Sequence, residues 1–166
     1  MGIEIERRFL VTNEDWKTKV ILSEDISQAY LNSSIDEWVI RIRVVGNDKA
    51  YITLKSSVNG LVNNEFEYSI PMKDASELMK LSKNKIIKTR YHLKINNKNW
   101  VVDLFDGANS SLQIAEIELN SESEKIQIPS WCGLEITGIK SLSNAFLARK
   151  PISVLSLRDR LKVKDE

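Results

Sequence analysis

One charge pattern recurs in segments that alternate between polar and apolar residues. The chain opens with Glu4-Ile5-Glu6-Arg7-Arg8-Phe9, and along an extended strand this spacing points Glu4, Glu6 and Arg8 to one side. Further pairs of like charge at positions i and i+2 are Arg41 and Arg43, Glu65 and Glu67, Lys88 and Arg90, and Glu116 and Glu118. The pattern predicts β-strands whose charged face is sorted by sign.

Like charges with this spacing stand about 6.6 Å apart on a strand and repel each other. One such pair is ordinary on the solvent face of a half-buried strand. Five pairs separated by sign are harder to explain, because a solvated face normally mixes both signs. We therefore expect bound groups to offset the repulsion, with cations at the acidic strands and a polyanion at the basic strands.

Length and composition indicate one globular domain. The chain has 166 residues, of which 42% are apolar and 28% are charged, and this is enough apolar material for a sizeable core. We expect a single domain over residues 1–166. Twenty-four Lys and Arg residues against 23 Asp and Glu residues give a formal net charge of +1. Since no overall field favours nucleic acid or membranes, we expect neither as a partner.

A single cysteine, Cys132, excludes an internal disulfide and fits a reducing compartment. No apolar run precedes a small-residue cleavage site at the start of the sequence, and no stretch approaches the length of a membrane span. We expect a cytoplasmic protein. The sequence also lacks a Walker loop, a dinucleotide fingerprint and a nucleophile elbow.

Turn residues divide most of the chain into eight predicted strands. These strands cover residues 3–11, 27–33, 37–46, 49–57, 64–71, 86–96, 99–105 and 112–120. Short turns such as Gly46-Asn47-Asp48 join several neighbours as hairpins, so we expect mostly antiparallel pairs.

Helices are predicted between and after the strands. Two are expected at about 13–19 and 74–83, and a short one from Ser121, where the sequence has capping-box spacing. A C-terminal helical segment is expected at about 141–163, interrupted at Pro151 because proline cannot continue a helix.

Two architectures satisfy the alternation. The face opposite the charges is apolar nearly throughout, as with Ile40 and Ile42 or Val102 and Leu104. In one architecture the apolar face forms the core and the charges meet solvent. In the other the charges line the lumen of a barrel, and helices cover its apolar exterior. Composition does not choose between them.

The opening motif closely resembles the ExExK motif of the CYTH superfamily, the triphosphate tunnel metalloenzymes. Motifs that resemble later parts of the family pattern follow in family order: Gln28-Ala29-Tyr30-Leu31, Arg41-Ile42-Arg43, Thr53-Leu54-Lys55, Glu65-Phe66-Glu67, Lys88-Thr89-Arg90-Tyr91, Asp103, Glu116-Ile117-Glu118 and Leu134-Glu135-Ile136-Thr137. The resemblance implies a mainly β (α+β) fold, an eight-stranded antiparallel β-barrel tunnel with a charged lumen and flanking helices.

The resemblance also implies that basic side chains bind a triphosphate and that glutamates hold Mg²⁺ or Mn²⁺. The implied metal ligands are Glu4, Glu6, Glu116 and Glu118. The implied substrate-binding residues are Arg8, Arg41, Arg43, Lys55, Lys88 and Arg90. The implied catalytic residues are Arg8, Tyr30, Glu65, Glu67 and Asp103. Water beside the metal would attack the terminal phosphorus, and no protein nucleophile is required.

Two departures from the family pattern bear on this hypothesis. Arg8 stands where the family has lysine, and it keeps the charge but cannot readily transfer a proton. After Thr137, related sequences often carry an acidic, basic and aromatic combination, whereas this chain has Gly138-Ile139-Lys140-Ser141-Leu142.

Several functions remain open at this point. Metal-dependent hydrolysis of inorganic triphosphate or a related small triphosphate is the first hypothesis. Nucleoside triphosphatase, thiamine triphosphatase and class IV adenylyl cyclase are alternatives within the superfamily. A noncatalytic module that binds polyphosphate or nucleotide is an alternative of a different class. Apolar outer surface could support a homodimer, although no motif specifies one.

Overall fold

Antiparallel β-strands account for most of the structure. The computed structural model describes residues 2–32, 38–153 and 156–161, apart from the side chain of Arg160. Within these ranges the strands are β1 (Ile3–Val11), β2 (Val20–Tyr30), β3 (Trp38–Val45), β4 (Lys49–Ser57), β5 (Val62–Ser69), β6 (Lys85–Ile95), β7 (Lys98–Phe105), β8 (Gln113–Glu118) and β9 (Cys132–Glu135). Positions 33 and 37 of the predicted strands lie outside the described residues.

Short helices connect and follow the strands. The α-helices are α1 (Met72–Lys80), α2 (Asn144–Arg149) and α3 (Leu157–Arg160), and the 3-10 helices are Asp15–Lys19, Gly107–Asn109 and Lys140–Leu142. Positions 154, 155, 162 and 163 of the predicted C-terminal helical segment lie outside the described residues. No helix in the described part of the chain has both the length and the apolar character needed to cross a membrane.

The strands close into a barrel. Their order is β5-β4-β3-β2-β6-β7-β8-β1, and β1 pairs again with β5, where Ile3 lies opposite Asn64 and Ile5 opposite Val62. Strand β9 pairs with the second half of β1. Closure leaves no free edge among the eight barrel strands. The prediction of an eight-stranded antiparallel barrel is confirmed.

The strand registers place the charges inside this barrel. Residues directly opposite each other in an antiparallel pair point to the same side of the sheet. Arg8 lies opposite Glu116, and Arg90 lies opposite Asp103. The residues between these charges point outward and are largely apolar, as with buried Phe9. The architecture with a charged lumen is therefore confirmed, and the one with solvated charges is excluded.

Helices cover two parts of the apolar exterior. Helix α1 crosses outside β3 and β4, where Ala75 packs in a cluster with Ile42 and Ala50. On the other side of the barrel, Trp16 from the first 3-10 helix is fully buried in a cluster that includes Trp100. These helices shield apolar side chains that the charged lumen cannot accept.

The C-terminal segment packs against one end of the barrel. Side chains on the lumen face at this end are apolar and include Ile86, Phe105 and Ile114. They form one cluster with Leu142 and Leu147, which come from the last 3-10 helix and from α2. The charged part of the lumen therefore lies beside a packed apolar end.

The second strand is longer than predicted, and one strand was not predicted. Strand β2 begins at Val20 rather than at 27. The prediction missed its first part because the run Val20-Ile21-Leu22 does not alternate and so gives no strand signal. Strand β9 has only four residues, which is too short for a periodic pattern to stand out. Its hydrogen bonds to β1 make it a strand, although its own sequence gives no strand signal.

The short helix predicted from Ser121 is wrong. The backbone N–H of Glu124 donates to the carbonyl of Ser121 at 3.1 Å in a turn, and the side chain of Glu124 accepts from the backbone N–H of Asn120 at 2.6 Å. The chain then runs on without helix to Pro129, which disfavours helical backbone at the residue before it.

Candidate functional site

A cavity of about 520 Å³ lies in the barrel lumen. The β4–β5 turn and residues 138–145 bound its outer part. Its inner wall carries charged side chains from six strands: Glu4, Glu6, Arg8, Arg41, Arg43, Lys55, Glu65, Arg90 and Glu116. Tyr30 also lines the cavity, whereas Glu67, Lys88, Asp103 and Glu118 do not. The structure thus brings ten of the fourteen predicted site residues to one space.

Three carboxylates meet around one ammonium group at the cavity wall. The Nζ atom of Lys55 lies 3.3 Å from Oε1 of Glu6 and 3.2 Å from Oε2 of Glu65, and it also pairs with Oε2 of Glu4. We call Glu4, Glu6 and Glu65 the acidic cluster. Glu4 and Glu6 come from β1 and Glu65 from β5, so the pairing that closes the barrel brings them together.

Repulsion within the acidic cluster is only partly neutralised. Burial, together with the charge of Glu6, raises the pKa of Glu4 to about 7. Burial by itself would lower the pKa of Lys55, but the carboxylates of Glu6, Glu4 and Glu65 raise it, so this side chain is an ammonium ion at neutral pH. Atom Oε2 of Glu65 is buried and makes no hydrogen bond, because its contact with Lys55 is an ion pair without hydrogen-bond geometry.

The donor atoms of the acidic cluster suit a hard divalent cation. Carboxylate oxygens are the ligands that Mg²⁺ and Mn²⁺ prefer, and Oε2 of Glu65 accepts no hydrogen bond from the described residues. In the described ranges, no group of three or more Asp, Glu, His or Cys side chains has the geometry of a metal site. The ammonium group of Lys55 stands between the carboxylates, so the acidic cluster fits a metal in chemistry while lysine holds the central position.

Two arginines on β3 lie beside the acidic cluster, and Nη2 of Arg41 lies 3.5 Å from Oε1 of Glu65. Atom Nη2 of Arg43 donates to both carboxylate oxygens of Glu67, at 2.6 and 2.8 Å. Arg41 donates to Oγ1 of Thr53 at 3.0 Å and to Glu67 at 3.3 Å. Atom Nε of Arg43 is buried without a hydrogen-bond partner among the described residues. Both guanidinium groups line the cavity, and Arg43 retains an unused donor at Nε.

A second group of ions is more deeply buried. Asp103 accepts from Nε and Nη2 of Arg90, both at 2.7 Å, and from Nζ of Lys88. The side chains of Lys88 and Asp103 are inaccessible to solvent. Burial by itself would raise the pKa of Asp103, but Arg90 and Lys88 hold it well below its usual range. We call Lys88, Arg90 and Asp103 the buried network.

Glu116 links the buried network to Arg8. Its oxygens accept from Nη2 of Arg90 at 2.7 Å and from Nε of Arg8 at 3.1 Å. The other branch of the Arg8 guanidinium donates to the carbonyl of Leu142 at 3.2 Å. The arginine that replaces the family lysine therefore joins the cavity wall to the C-terminal segment. Its fork makes two directed bonds that a lysine could not make in the same geometry.

The remaining predicted residues differ in their surroundings. Tyr30 is buried and donates its hydroxyl to Oε1 of Gln28 at 3.0 Å, and burial raises the pKa of Tyr30 to about 12. Glu118 is exposed and lies opposite Glu6 at the end of β8. Glu118 therefore neighbours Glu6 on the same side of the sheet, but its exposed side chain does not line the cavity.

Sequence reasoning missed two polar residues of this site. The Oγ1 atom of Thr53 donates to Glu67 at 2.8 Å, and Nδ2 of Asn63 donates to Glu4 at 3.2 Å. Each lies two residues before a predicted site residue on the same strand, Lys55 and Glu65, so the same alternation could have found both.

A closed antiparallel barrel whose lumen presents guanidinium, ammonium and carboxylate groups to one cavity defines a tunnel protein suited to a polyanion. The chain belongs to the CYTH domain family, whose model matches residues 2–146. The resemblance seen in the sequence is confirmed.

Similar proteins include two inorganic triphosphatases. The inorganic triphosphatase of Acetivibrio thermocellus is 38% identical over 155 residues, which cover 91% of this chain and 96% of that protein. The solved structure of the inorganic triphosphatase NE1496 is 31% identical with a TM-score of 0.64, and the match covers 87% of this chain and 93% of that one. A conserved hypothetical protein from Pyrococcus furiosus is 25% identical with a TM-score of 0.57, and covers 72% of this chain and 80% of that one.

Proposed function

We propose that this protein is a divalent-metal-dependent hydrolase that releases phosphate from inorganic triphosphate or a related small triphosphate. The observation that carries the proposal is the convergence of Arg8, Arg41, Arg43, Lys55 and Arg90 on one cavity. Guanidinium and ammonium groups are the side chains that bind phosphoryl oxygens most strongly. The likeness to two inorganic triphosphatases supports the choice of substrate.

The basic side chains have separate roles in this proposal. Arg41 and Arg43 on β3 bind one end of the triphosphate. Arg8 on β1 and Arg90 on β6 bind the triphosphate from other sides of the cavity. Their charges stabilise the negative charge that spreads over the phosphoryl and leaving oxygens. Lys88 stays a predicted substrate ligand. Its side chain is buried and connects to the cavity indirectly, because it pairs with Asp103, which in turn pairs with Arg90.

The carboxylates hold the cation and orient the attacking water. Glu4, Glu6 and Glu65 would hold a divalent cation, and Mg²⁺ and Mn²⁺ fit this donor set. Such a cation polarises phosphoryl oxygens when bound. Glu116 lines the same cavity, where it pairs with Arg8 and Arg90. Glu67 stays a candidate for orienting water, and Tyr30 and Asp103 stay candidates for positioning neighbouring side chains of the site. Glu118 remains a predicted ligand, opposite Glu6 but outside the cavity lining.

Phosphate release tests the proposal. Tripolyphosphate, ATP and thiamine triphosphate would each be incubated with Mg²⁺, Mn²⁺ or a chelator, using the wild type, Glu116→Gln and Glu77→Gln. Glu77 is the matched control, because its carboxylate lies on the exposed face of α1 and pairs with Lys80. We expect metal-dependent release from tripolyphosphate that Glu116→Gln loses and Glu77→Gln retains.

Other outcomes select the alternatives. Release of phosphate from ATP or thiamine triphosphate but not from tripolyphosphate would identify a nucleoside or thiamine triphosphatase instead. Binding of tripolyphosphate without release from any substrate would contradict hydrolysis and favour a noncatalytic binding module. Formation of a cyclic nucleotide from ATP would favour the cyclase.

Location and assembly remain proposals as well. We propose a cytoplasmic location, since the single cysteine fits a reducing compartment. The outer face of β3–β5 leaves Trp38, Phe66 and Tyr68 exposed, which keeps the homodimer a testable expectation. Light scattering of the purified protein measures the molar mass and so distinguishes a monomer from a homodimer.

A further inference from the structure

Lys55 occupies a position that a metal ion would need. Its Nζ atom lies within 3.3 Å of carboxylate oxygens from all three members of the acidic cluster. One ammonium therefore faces three carboxylates, and Oε2 of Glu65 still lacks a hydrogen bond. A divalent cation at the same place would bring twice the charge and accept oxygens from several directions.

The surroundings of Lys55 allow its side chain to move. The side chain is 23% exposed and lines the cavity, whereas the side chain of Lys88 is completely buried. The residue opposite Lys55 on β5 is Glu65, but the residue opposite on β3 is Val39, which also lines the cavity. Lys55 thus has carboxylates on one side and an uncharged residue directly opposite on the other, with Arg41 two residues further along β3, where it pairs with Glu65 at 3.5 Å. Lysine carries its charge on a flexible four-carbon chain, so it can change partner without moving the backbone.

The other basic side chains of the cavity are also paired with carboxylates. Arg8 pairs with Glu116, Arg41 with Glu65 and Glu67, Arg43 with Glu67, and Arg90 with both Asp103 and Glu116. Arg8, Arg41 and Arg90 each donate through both Nε and Nη2, and Arg43 donates twice from Nη2 to Glu67. Lys55 is the flexible cation at the acidic cluster, and its release would add one positive charge to the cavity.

We propose that Lys55 is an internal counter-ion that a divalent cation displaces from the acidic cluster. The displaced ammonium group then turns toward the centre of the cavity and binds the triphosphate. The second half of this inference rests on the proposed function. The exchange makes metal binding a condition for full anion binding, because the carboxylates release Lys55 only when another cation replaces it. By linkage, the anion also strengthens metal binding.

Metal binding without triphosphate tests the displacement. Mn²⁺ would be titrated into the wild type, Lys55→Met and Lys80→Met, and free Mn²⁺ would be measured by electron paramagnetic resonance. Lys80→Met is the matched control, because it removes an exposed lysine that pairs with Glu77 on α1. We expect Lys55→Met to bind Mn²⁺ about tenfold more tightly than the wild type, and Lys80→Met to bind like the wild type. Equal or weaker binding by folded Lys55→Met would overturn the proposal.

A second readout uses the wild-type protein. With lysine labelled by ¹³C at the ε-carbon, the Lys55 resonance is the one missing from a Lys55→Met or Lys55→Gln spectrum. We expect Mg²⁺ to shift this resonance and to leave that of Lys80 in place. A Lys55 resonance that stays unchanged while Mg²⁺ competes with Mn²⁺ would also overturn the displacement. If Lys55→Met does not fold, Lys55→Gln takes its place in the titration.

These results are independent of phosphate release. A protein that hydrolyses tripolyphosphate but shows no displacement would leave the proposed function intact and remove this inference. A protein that shows displacement but releases no phosphate would remove the proposed function and leave Lys55 as a counter-ion at a metal site.

Discussion

The acidic cluster and the buried network use the same residue types in opposite ways. In the acidic cluster three carboxylates surround Lys55, whose side chain is 23% exposed. In the buried network two cations, Lys88 and Arg90, surround Asp103, whose side chain is inaccessible. The first group has an excess of negative charge beside a cavity, whereas the second encloses Lys88 and Asp103 and reaches the cavity through Arg90. Ion pairs of the first kind can exchange partners, whereas those of the second kind are held by the cost of leaving a buried charge unpaired.

The largest effect is expected from breaking the buried network. Asp103→Asn removes the carboxylate that Lys88 and Arg90 share, so both cations stay buried without it. We expect the free energy of unfolding to fall by about 3–5 kcal/mol. Urea unfolding followed by circular dichroism measures this loss. Glu77→Gln, at an exposed ion pair, should lose less than about 1 kcal/mol, and equal losses in the two variants would contradict the comparison.

The pH dependence of stability should identify the same carboxylate. Arg90 and Lys88 lower the pKa of Asp103 in the folded protein, so the unfolded chain binds its proton first as the pH falls. The contribution of Asp103 is therefore complete at neutral pH and is lost progressively below about pH 5. Unfolding measured from pH 7 to pH 3 should show the wild type and Asp103→Asn converging. Parallel curves would show that the pKa of Asp103 is the same in the folded and unfolded states, which would contradict its pairing with Arg90 and Lys88.

In the acidic cluster the same type of change should affect activity rather than stability. Glu6→Gln removes a carboxylate that repels Glu4 and is attracted by Lys55 and Arg8. We expect the rate of phosphate release to fall by about 100-fold, with a change in unfolding free energy below about 1 kcal/mol. Stopped assays at saturating Mg²⁺ and urea unfolding measure the two quantities. A large loss of stability with little loss of rate would reverse the roles of the two ion groups.

Arg43→Lys tests whether the guanidinium fork matters at the cavity. Arg43 donates to both oxygens of Glu67 and keeps a free Nε atom, and lysine cannot reproduce this geometry. We expect the Michaelis constant for tripolyphosphate to rise about tenfold, with a smaller change in kcat. Steady-state kinetics with matched Mg²⁺ concentrations separate the two constants. An unchanged Michaelis constant would remove Arg43 from substrate binding.

The smallest effect is expected outside the barrel. Glu135 on β9 pairs with Arg7 at 2.6 Å, and its side chain is 40% exposed. We expect Glu135→Gln to change the unfolding free energy by less than about 1 kcal/mol and to leave phosphate release unchanged, because Arg7 points away from the lumen. A fall in activity would show that β9 influences the tunnel through β1.

The alternation of residue types predicted much of this fold. Strands with one charged face and one apolar face were predicted at nearly the observed places, and β4 matches its predicted range, 49–57. The opening motif and the ordered motifs after it led to the correct family. The same period brought Arg41, Arg43, Lys55 and Glu65 to one cavity, since residues two apart on a strand share a face.

Other features had no periodic signal. Strand β9 exists because β1 supplies its partner. The helix expected from Ser121 did not form, because Glu124 accepts from the backbone of Asn120 and from Lys98 instead. Local pattern matching does not reveal such competing partners, and only the tertiary arrangement supplies them.

The sequence by itself determined which side chains share a face, and therefore which charges could act together. Tertiary structure decided that this face points inward, because closure between β1 and β5 leaves the apolar face for the helices to cover. It also decided the pairing of charges. Lys55 lies among carboxylates beside a cavity and Lys88 lies buried against Asp103, although both are lysines on the lumen face of a strand. The physical reason is that spacing along a strand sets direction, whereas neighbours, burial and access to solvent depend on how the strands close around the lumen.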